Sequence, residues 1–376
     1  MAMIRVGLIG LSGAADKDYE GTSWTPSAHL PYLRASPHFK IVALLNSSVD
    51  SAKAAIKKYG LSAETKAYSD PNDLANDAAV DLVVCSVRVD RHFLTVRPSI
   101  IARKIIYVEW PLERNLEVVN EMAHLAALHN TKTIAGLQGS FAPVIRKMKT
   151  LVQQGAIGNI ISSTFDGALG NGGATENKSV RYFLERVVGG NAMSIHCGHC
   201  IESVTSVLGQ FEKFISECSI RRPTIDIVDS SLGKNDKVIV KGARNTVPDQ
   251  ILIHGTVKPS NAVVTLNLHG GKGCPGVPRV NWRIEGEKGW LRLTSPVFFI
   301  NIGSPELKLE IFNAEDCKVQ EVALGPDEWD ELPLPARNIA RLYEAYRKDE
   351  WYPDFEWALK RHELVNEMWR RFDEGA

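Results

Sequence analysis

A chain of 376 residues with 44% hydrophobic and 23% charged side chains carries more apolar material than one core usually holds, so two domains are expected. Lysine plus arginine and aspartate plus glutamate balance at 44 each without a run of like charge. This argues against a nucleic-acid or membrane-surface partner and leaves a small molecule as the expected ligand. The chain runs from Met1 straight into an apolar strand, and no stretch of about 18 uninterrupted apolar residues occurs, which points to the cytoplasm with the nucleus also open.

The first 137 residues alternate short β-branched runs with helical patterns. The runs are "MIRVGLIG", "KIVALLN", "VDLVVCSV", "IIYVEW" and "TKTIAGL", separated by segments such as "DSAKAAIKKYG" and "NLEVVNEMAHLAALHN". This predicts a doubly wound, mostly parallel Rossmann sheet over 1–137. From 138 the pattern becomes a helix "VIRKMKTLVQQG", a strand "NIISSTFDG", a helix over "GGNAMSIHCGHCIESVTSVLG", and then strands "ILIHGTVKP", "AVVTLNLHG", "VNWRIEGEKGWLRLTS", "LKLEIFNA" and "KVQEVAL". A second, α+β domain over 138–376 follows, with a large open, mostly antiparallel sheet flanked by helices. The polar segment 222–235 reads as a surface excursion. Two helical patterns close the chain, packing beside the sheet or returning to the first domain.

The turn "VGLIGLSGAAD" places Gly10 at the tight turn after the first strand. Ser12 stands where a dinucleotide fingerprint has its second glycine, and Ala15 at the third, helix-packing position. Small residues at all three keep close approach of a pyrophosphate possible, although an ordinary strand-to-helix turn has the same look. The loop from Asp16 to Pro26 is long enough to fold over a ligand. At the end of the second strand Asn46, Ser47 and Ser48 replace the usual ribose-binding carboxylate, so NADP is as admissible as NAD, although no arginine follows immediately.

Six cysteines in so long a chain are expected as thiols. Cys197-Gly198-His199-Cys200 allows three readings: a redox dithiol, a metal site including His196, or two small core residues. A dithiol needs its first cysteine at a helix N-terminus, and no fourth metal ligand announces itself. The core reading is preferred, and no metal is assigned.

"VGLIGLSG", "VDLVVCSVRVDRHF", "IIYVEWPLERN", "GLQGSFAPVIRKMKTLVQQGAIGNI" and "GGNAMSIHCGHCIE" fall in the order and spacing of the glucose–fructose oxidoreductase/inositol dehydrogenase family. The chain resembles this family over nearly its whole length, and within it the branch of the fungal galactose-gene repressor. The resemblance implies NAD or NADP held by Gly10, Ser12, Gly13, Ala14, Asn46, Ser47, Ser86, Val87, His92, Glu109, Trp110 and Gln138. Family enzymes use a lysine from a Glu-Lys-Pro motif and an aspartate/histidine pair. Here Trp110 stands for the lysine and Ile195 for the aspartate, while Glu109, Pro111 and His199 remain.

A tryptophan cannot serve as a general acid or base. The resemblance therefore implies an atypical catalytic set of His199, Tyr182, Glu109 and Trp110, with Arg181 as another candidate partner of His199 and Trp110 stacking on the nicotinamide or a flat substrate. The expected activity is a nicotinamide-dependent oxidoreductase, or a redox-neutral isomerase, acting on a small organic substrate. The alternative is a catalytically silent regulator that captures an activation-domain peptide, and a third possibility is an inert paralogue. A homodimer through the open sheet face is the family's habit.

Overall fold

The computed structural model describes residues 3–14, 24–230 and 236–375. Two compact units divide the chain: Met1–Leu137 with Val187–Gly190 and Glu331–Glu363, and Gln138–Arg186 with Asn191–Asp330 and Leu364–Ala376.

The first unit holds a six-stranded parallel sheet in the order β3-β2-β1-β4-β5-β6. Its strands are β1 (Ile4–Ile9), β2 (Phe39–Leu45), β3 (Lys66–Tyr68), β4 (Leu82–Cys85), β5 (Ile105–Glu109) and β6 (Thr133–Gly136). The central ones are continuous apolar runs because helices cover both faces of a parallel sheet. Val83, Val84, Ile106 and Val108 are wholly buried. The helices are α1 (25–35), α2 (Val49–Lys58), α3 (Pro71–Asn76), α4 (His92–Ile101) and α5 (Leu116–Leu128). Side-chain caps start three of them: Ser48 accepts from Ser51 N–H, Asp70 from Asn72 N–H and Asn115 from Val118 N–H. The order reverses between β1 and β4, and this switch point is where a doubly wound sheet opens a crevice beyond its strand ends. α8 (Leu334–Arg347) belongs to this unit, where Tyr343 stacks between Tyr32 and Tyr107.

The second unit is built on an eight-stranded sheet in the order β17-β16-β15-β14-β7-β13-β12-β9. These are β7 (Ile160–Ala168), β9 (Gly209–Ser219), β12 (Gln250–Pro259), β13 (Val263–His269), β14 (Val280–Gly286), β15 (Gly289–Ser295), β16 (Lys308–Asn313) and β17 (Lys318–Glu321). All pairs are antiparallel except β7 with β13. Alternation is clean along β12 to β15, so one face is core and the other is open. The core holds Phe165, Leu266, Trp282 and Leu293 together with α6 (Pro143–Gln153) and α7 (Cys197–Leu208). Trp282 is fully buried yet satisfied, its indole N–H donating to Ser163 Oγ at 2.9 Å. α9 (Phe355–Glu374) contributes residues to both units. Among the described residues no helix is long and apolar enough to cross a membrane.

Two parts of this unit differ from the expectation. The described part of the segment 222–235 is not a surface excursion, while 231–235 lie outside the described residues: β10 (Thr224–Asp229) is the middle strand of a separate sheet, β11-β10-β8, with β8 (Thr175–Asn177) and β11 (Lys237–Arg244). Ile225 and Ile227 bury against Leu184. The signal was too short to read, being two isoleucines separated by Asp226, and β11 is exposed along nearly all its length. β9 is a second strand that the pattern does not announce. As an edge strand it exposes Glu212, Lys213 and Glu217, so charge masks its alternation.

Candidate functional site

In the first unit the β1 turn is built for close backbone approach. Gly10 has φ +96°, and a Cβ there would lie 2.5 Å from the Ser86 carbonyl oxygen. Ser12 Oγ accepts from Ala14 N–H at 3.1 Å and holds the loop. Helix packing falls to Gly13, whose Cβ would lie 2.7 Å from the Ala55 nitrogen of α2. Ala15, expected in that role, lies outside the described residues, as does 16–23 of the long loop. Thr25, opening α1, donates from Oγ1 to the Ser86 carbonyl at 3.2 Å, so the helix start returns to the oxygen that Gly10 approaches.

A cavity of about 420 Å³ opens here, within the range of small-molecule sites. Of the expected cofactor residues, Gly10, Ser12, Ala14, Asn46, Ser47 and Val87 line it. Sequence reasoning missed Ser51, Ser69, Pro71, Arg91 and Thr95. Their signal was positional: β2, β3 and β4 all end at this crevice, and ligands bind outside the carboxyl ends of such strands. A glycine cradle that a Cβ would fill, with no aspartate or glutamate among the described lining residues, fits the pyrophosphate and adenosine of a nicotinamide cofactor.

The remaining expected residues of this unit sit deeper. His92 spans two segments: its Nδ1 lies 3.1 Å from the Pro111 carbonyl and 3.2 Å from that of Leu112, and its Nε2 3.0 Å from the Val87 carbonyl. Carbonyls at both ring nitrogens favour a doubly protonated ring, but burial is the larger effect and lowers its pKa. Glu109 accepts from His29 Nε2 at 2.8 Å and from the Tyr107 hydroxyl at 3.1 Å, and His29 Nδ1 meets the Tyr343 hydroxyl at 2.8 Å. Gly136 makes room for it, since a Cβ there would lie 2.6 Å from a Glu109 oxygen. The inherited glutamate is thus tied into a buried network. The Trp110 ring packs on His362 at 4.4 Å between centroids and belongs to the first unit's apolar core. His362 Nε2 accepts from Leu112 N–H at 3.1 Å, consistent with a neutral ring that burial pushes down to about 3. Gly189 supplies close packing, its φ of +81° and missing Cβ accommodating the Arg114 backbone.

In the second unit, Asn191 caps the turn 192–196 that leads into α7, accepting from Met193 N–H and Ser194 N–H. That turn delivers His196, a wholly buried residue that the expected site omitted. Asn171 Nδ2 donates to Glu176 Oε1 at 2.8 Å, which turns its Oδ1 toward His196 Nε2 at 2.9 Å. The amide therefore fixes the Nε2–H tautomer, and His196 Nδ1 has no hydrogen-bond partner among the described residues. Burial, with His199 adding to it, pushes His196 down to about 3, while the Asn191 carbonyl opposes the shift. Glu176 also accepts from the Gly172 and Asn177 N–H groups, and burial raises its pKa against those bonds.

His199 follows one turn later, buried edge-on to Phe299 at 6.4 Å, with its carbonyl accepting from Ser203 Oγ. Cys197 and Cys200 lie in the core of this unit as free thiols that burial pushes well up. This is the core reading of the CGHC stretch: a protonated thiol in an apolar setting is a poor nucleophile. Gln138 is buried, and its Oε1 has no partner among the described residues. Tyr182 is half-buried edge-on to Phe183 at 5.0 Å, and Arg181 is exposed beside a small cavity with Leu184 and Arg244. Of the expected catalytic set, the second unit holds His199 and Tyr182, and the first holds Glu109 and Trp110.

The description "oxidoreductase family, NAD-binding Rossmann fold" matches residues 4–137, and that of the Gal80p C-terminal domain matches residues 143–295. A dehydrogenase of Aspergillus oryzae, aclE, is 30% identical over 326 residues, spanning 85% of this chain and 85% of its own. The chain belongs to the glucose–fructose oxidoreductase/inositol dehydrogenase family. Within that family it is also similar to the galactose/lactose metabolism regulatory protein GAL80 of Saccharomyces cerevisiae, 28% identical over 341 residues, covering 86% of this chain and 75% of that one. The solved structure of a super-repressor mutant of Gal80p from the same yeast superposes with a TM-score of 0.88 at 26% identity, over 100% of this chain and 97% of that one. The first unit is accordingly a nicotinamide-cofactor Rossmann domain, and the relatives include both a dehydrogenase and a transcriptional regulator.

Proposed function

We propose that the protein is a nicotinamide-dependent oxidoreductase acting on a small organic substrate, with His199 as its acid/base. The observation that carries this reading is the Glu176–Asn171–His196 chain leading to α7. A carboxylate, an amide and an imidazole buried together cost desolvation, and a silent scaffold would gain by replacing them with apolar side chains. These hydrogen bonds fix the His196 tautomer, and the Asn191 cap starts the turn that leads to His199. When bound, the nicotinamide supplies hydride transfer. His199 takes the hydroxyl proton as an alcohol is oxidised, or returns it as a carbonyl is reduced. Without the family's lysine and aspartate, the site suits a substrate less polyol-like than the family norm, and an isomerase that returns the hydride to the same substrate uses the same residues. Tyr182 is the proposed partner of His199. We further propose a homodimer through the open face of the eight-stranded sheet.

The test is turnover on a panel of secondary alcohols, polyols and their ketones, following reduced nicotinamide. His199→Asn is expected to lower the rate by about 10²–10⁴-fold while cofactor affinity holds. Equal turnover in wild type and variant removes His199 from the chemistry. The similarity to Gal80p supports a second reading, a cofactor-binding regulator that captures a peptide. Cofactor binding with no turnover on any panel member, together with capture of an acidic activation-domain peptide, would favour it over the enzyme.

A further inference from the structure

Among the described residues that line the first unit's cavity there is no carboxylate of the kind a dinucleotide site uses to bind a ribose 2′-hydroxyl and to repel a 2′-phosphate. Asn46 ends β2 in its place, and its Nδ2 is committed to the Leu11 carbonyl at 2.8 Å. Around it the lining carries the hydroxyls of Ser47, Ser51, Ser69 and Thr95. Arg91, in the helical turn after β4, is the one charged side chain among the described lining residues. Its neighbour Arg88 holds Asp90 at 2.6 and 2.8 Å, so this nearby carboxylate, which also feels the Arg91 charge, is bound chiefly by Arg88. Asp50, in the first turn of α2, does not line it. The described lining is therefore uncharged donors and acceptors plus one guanidinium, which is the chemistry of a phosphate site rather than of a bare ribose diol.

We propose that this end of the cavity is a 2′-phosphate subsite, that Arg91 with the Ser47 and Ser51 hydroxyls holds the phosphate, and that the protein uses NADP(H) in preference to NAD(H). The proposal rests on the nicotinamide-cofactor reading above and adds which form of the cofactor is taken. The guanidinium offers paired N–H donors to phosphate oxygens, and the hydroxyls turn their protons to the remaining ones. One such charge-assisted contact is worth about tenfold to a hundredfold in affinity.

Calorimetric titration of the full chain with NADP⁺, NAD⁺, adenosine 2′,5′-bisphosphate and AMP tests it. NADP⁺ is expected to bind at least about tenfold more tightly than NAD⁺, and the bisphosphate more tightly than AMP by a similar factor. Arg91→Ala should weaken NADP⁺ by about tenfold to a hundredfold and NAD⁺ by less than about threefold, since only one of them carries the phosphate. Ser47→Asp, which restores a carboxylate, should reverse the preference. Equal or tighter NAD⁺ binding overturns the proposal and leaves the cofactor reading standing. A loss in Arg91→Ala that is the same for both cofactors also overturns it, because the guanidinium would then be stacking on adenine. Failure of all four ligands to bind overturns the cofactor reading itself, and the subsite with it.

Discussion

Lowering the pH should unfold this protein through two histidines that the fold holds neutral. Burial pushes His196 and His362 from an ordinary value of 6.5 down to about 3, each with a neighbouring histidine adding to the shift. A histidine with a lowered folded pKa binds its proton more readily when unfolded, so stability is full above 6.5 and falls as pH drops toward about 3. At about pH 5 the gap to 6.5 is about 1.5 units, which at 1.36 kcal/mol per unit is about 2 kcal/mol per histidine. That is a large share of a typical net stability of about 5–15 kcal/mol. His362→Gln separates this effect from carboxylate titration, because a glutamine oxygen can still accept from Leu112 N–H. Urea unfolding of both proteins at about pH 7.5 and about pH 5 is the assay. The wild type is expected to lose about 2 kcal/mol more than the variant between the two conditions. Parallel losses would refute the reasoning, since they would mean that His362 takes up its proton as readily in the folded state as in the unfolded one.

Two other outcomes follow from the geometry. Gly10→Ala forces a side chain into φ +96° and within 2.5 Å of the Ser86 oxygen, so it should cost about 1–3 kcal/mol and abolish NAD(P) binding; calorimetry showing unchanged affinity would mean that the turn is not the cradle. Asn171→Leu strips His196 Nε2 and one Glu176 oxygen of their shared partner, with an expected loss of about 1–3 kcal/mol in urea unfolding and slower turnover, whereas a loss below about 0.5 kcal/mol would show the chain to be dispensable.

Much of the architecture is legible along the chain because burial on both faces writes itself as continuous apolar runs, as in "VDLVVCSV" and "IIYVEW", while one-sided burial writes itself as alternation, as in "VNWRIEG" and "GWLRLTS". The site's Gly10, Ser12, Asn46 and Ser47 are legible for a related reason, since a tight turn after β1 and the end of β2 occupy set positions in a doubly wound sheet. Tertiary structure alone decided the rest. Arg91, Ser69 and Thr95 reach the cavity because β3 and β4 end beside β1 and β2, a proximity created by strand order across gaps of tens of residues. Asn171, Glu176 and His196 become one hydrogen-bonded chain only when β8 and the turn before α7 meet, and no local periodicity encodes that meeting. Glu109 and Trp110 look like inherited active-site residues in sequence, yet the fold gives them partners in His29 and His362, which lie 80 and 252 positions away. A sequence specifies which side chains are present and which face of their own element they occupy. Which distant side chain satisfies a buried donor or acceptor is set by how the elements pack, because the cost of leaving such a group unpaired is paid only in the assembled core.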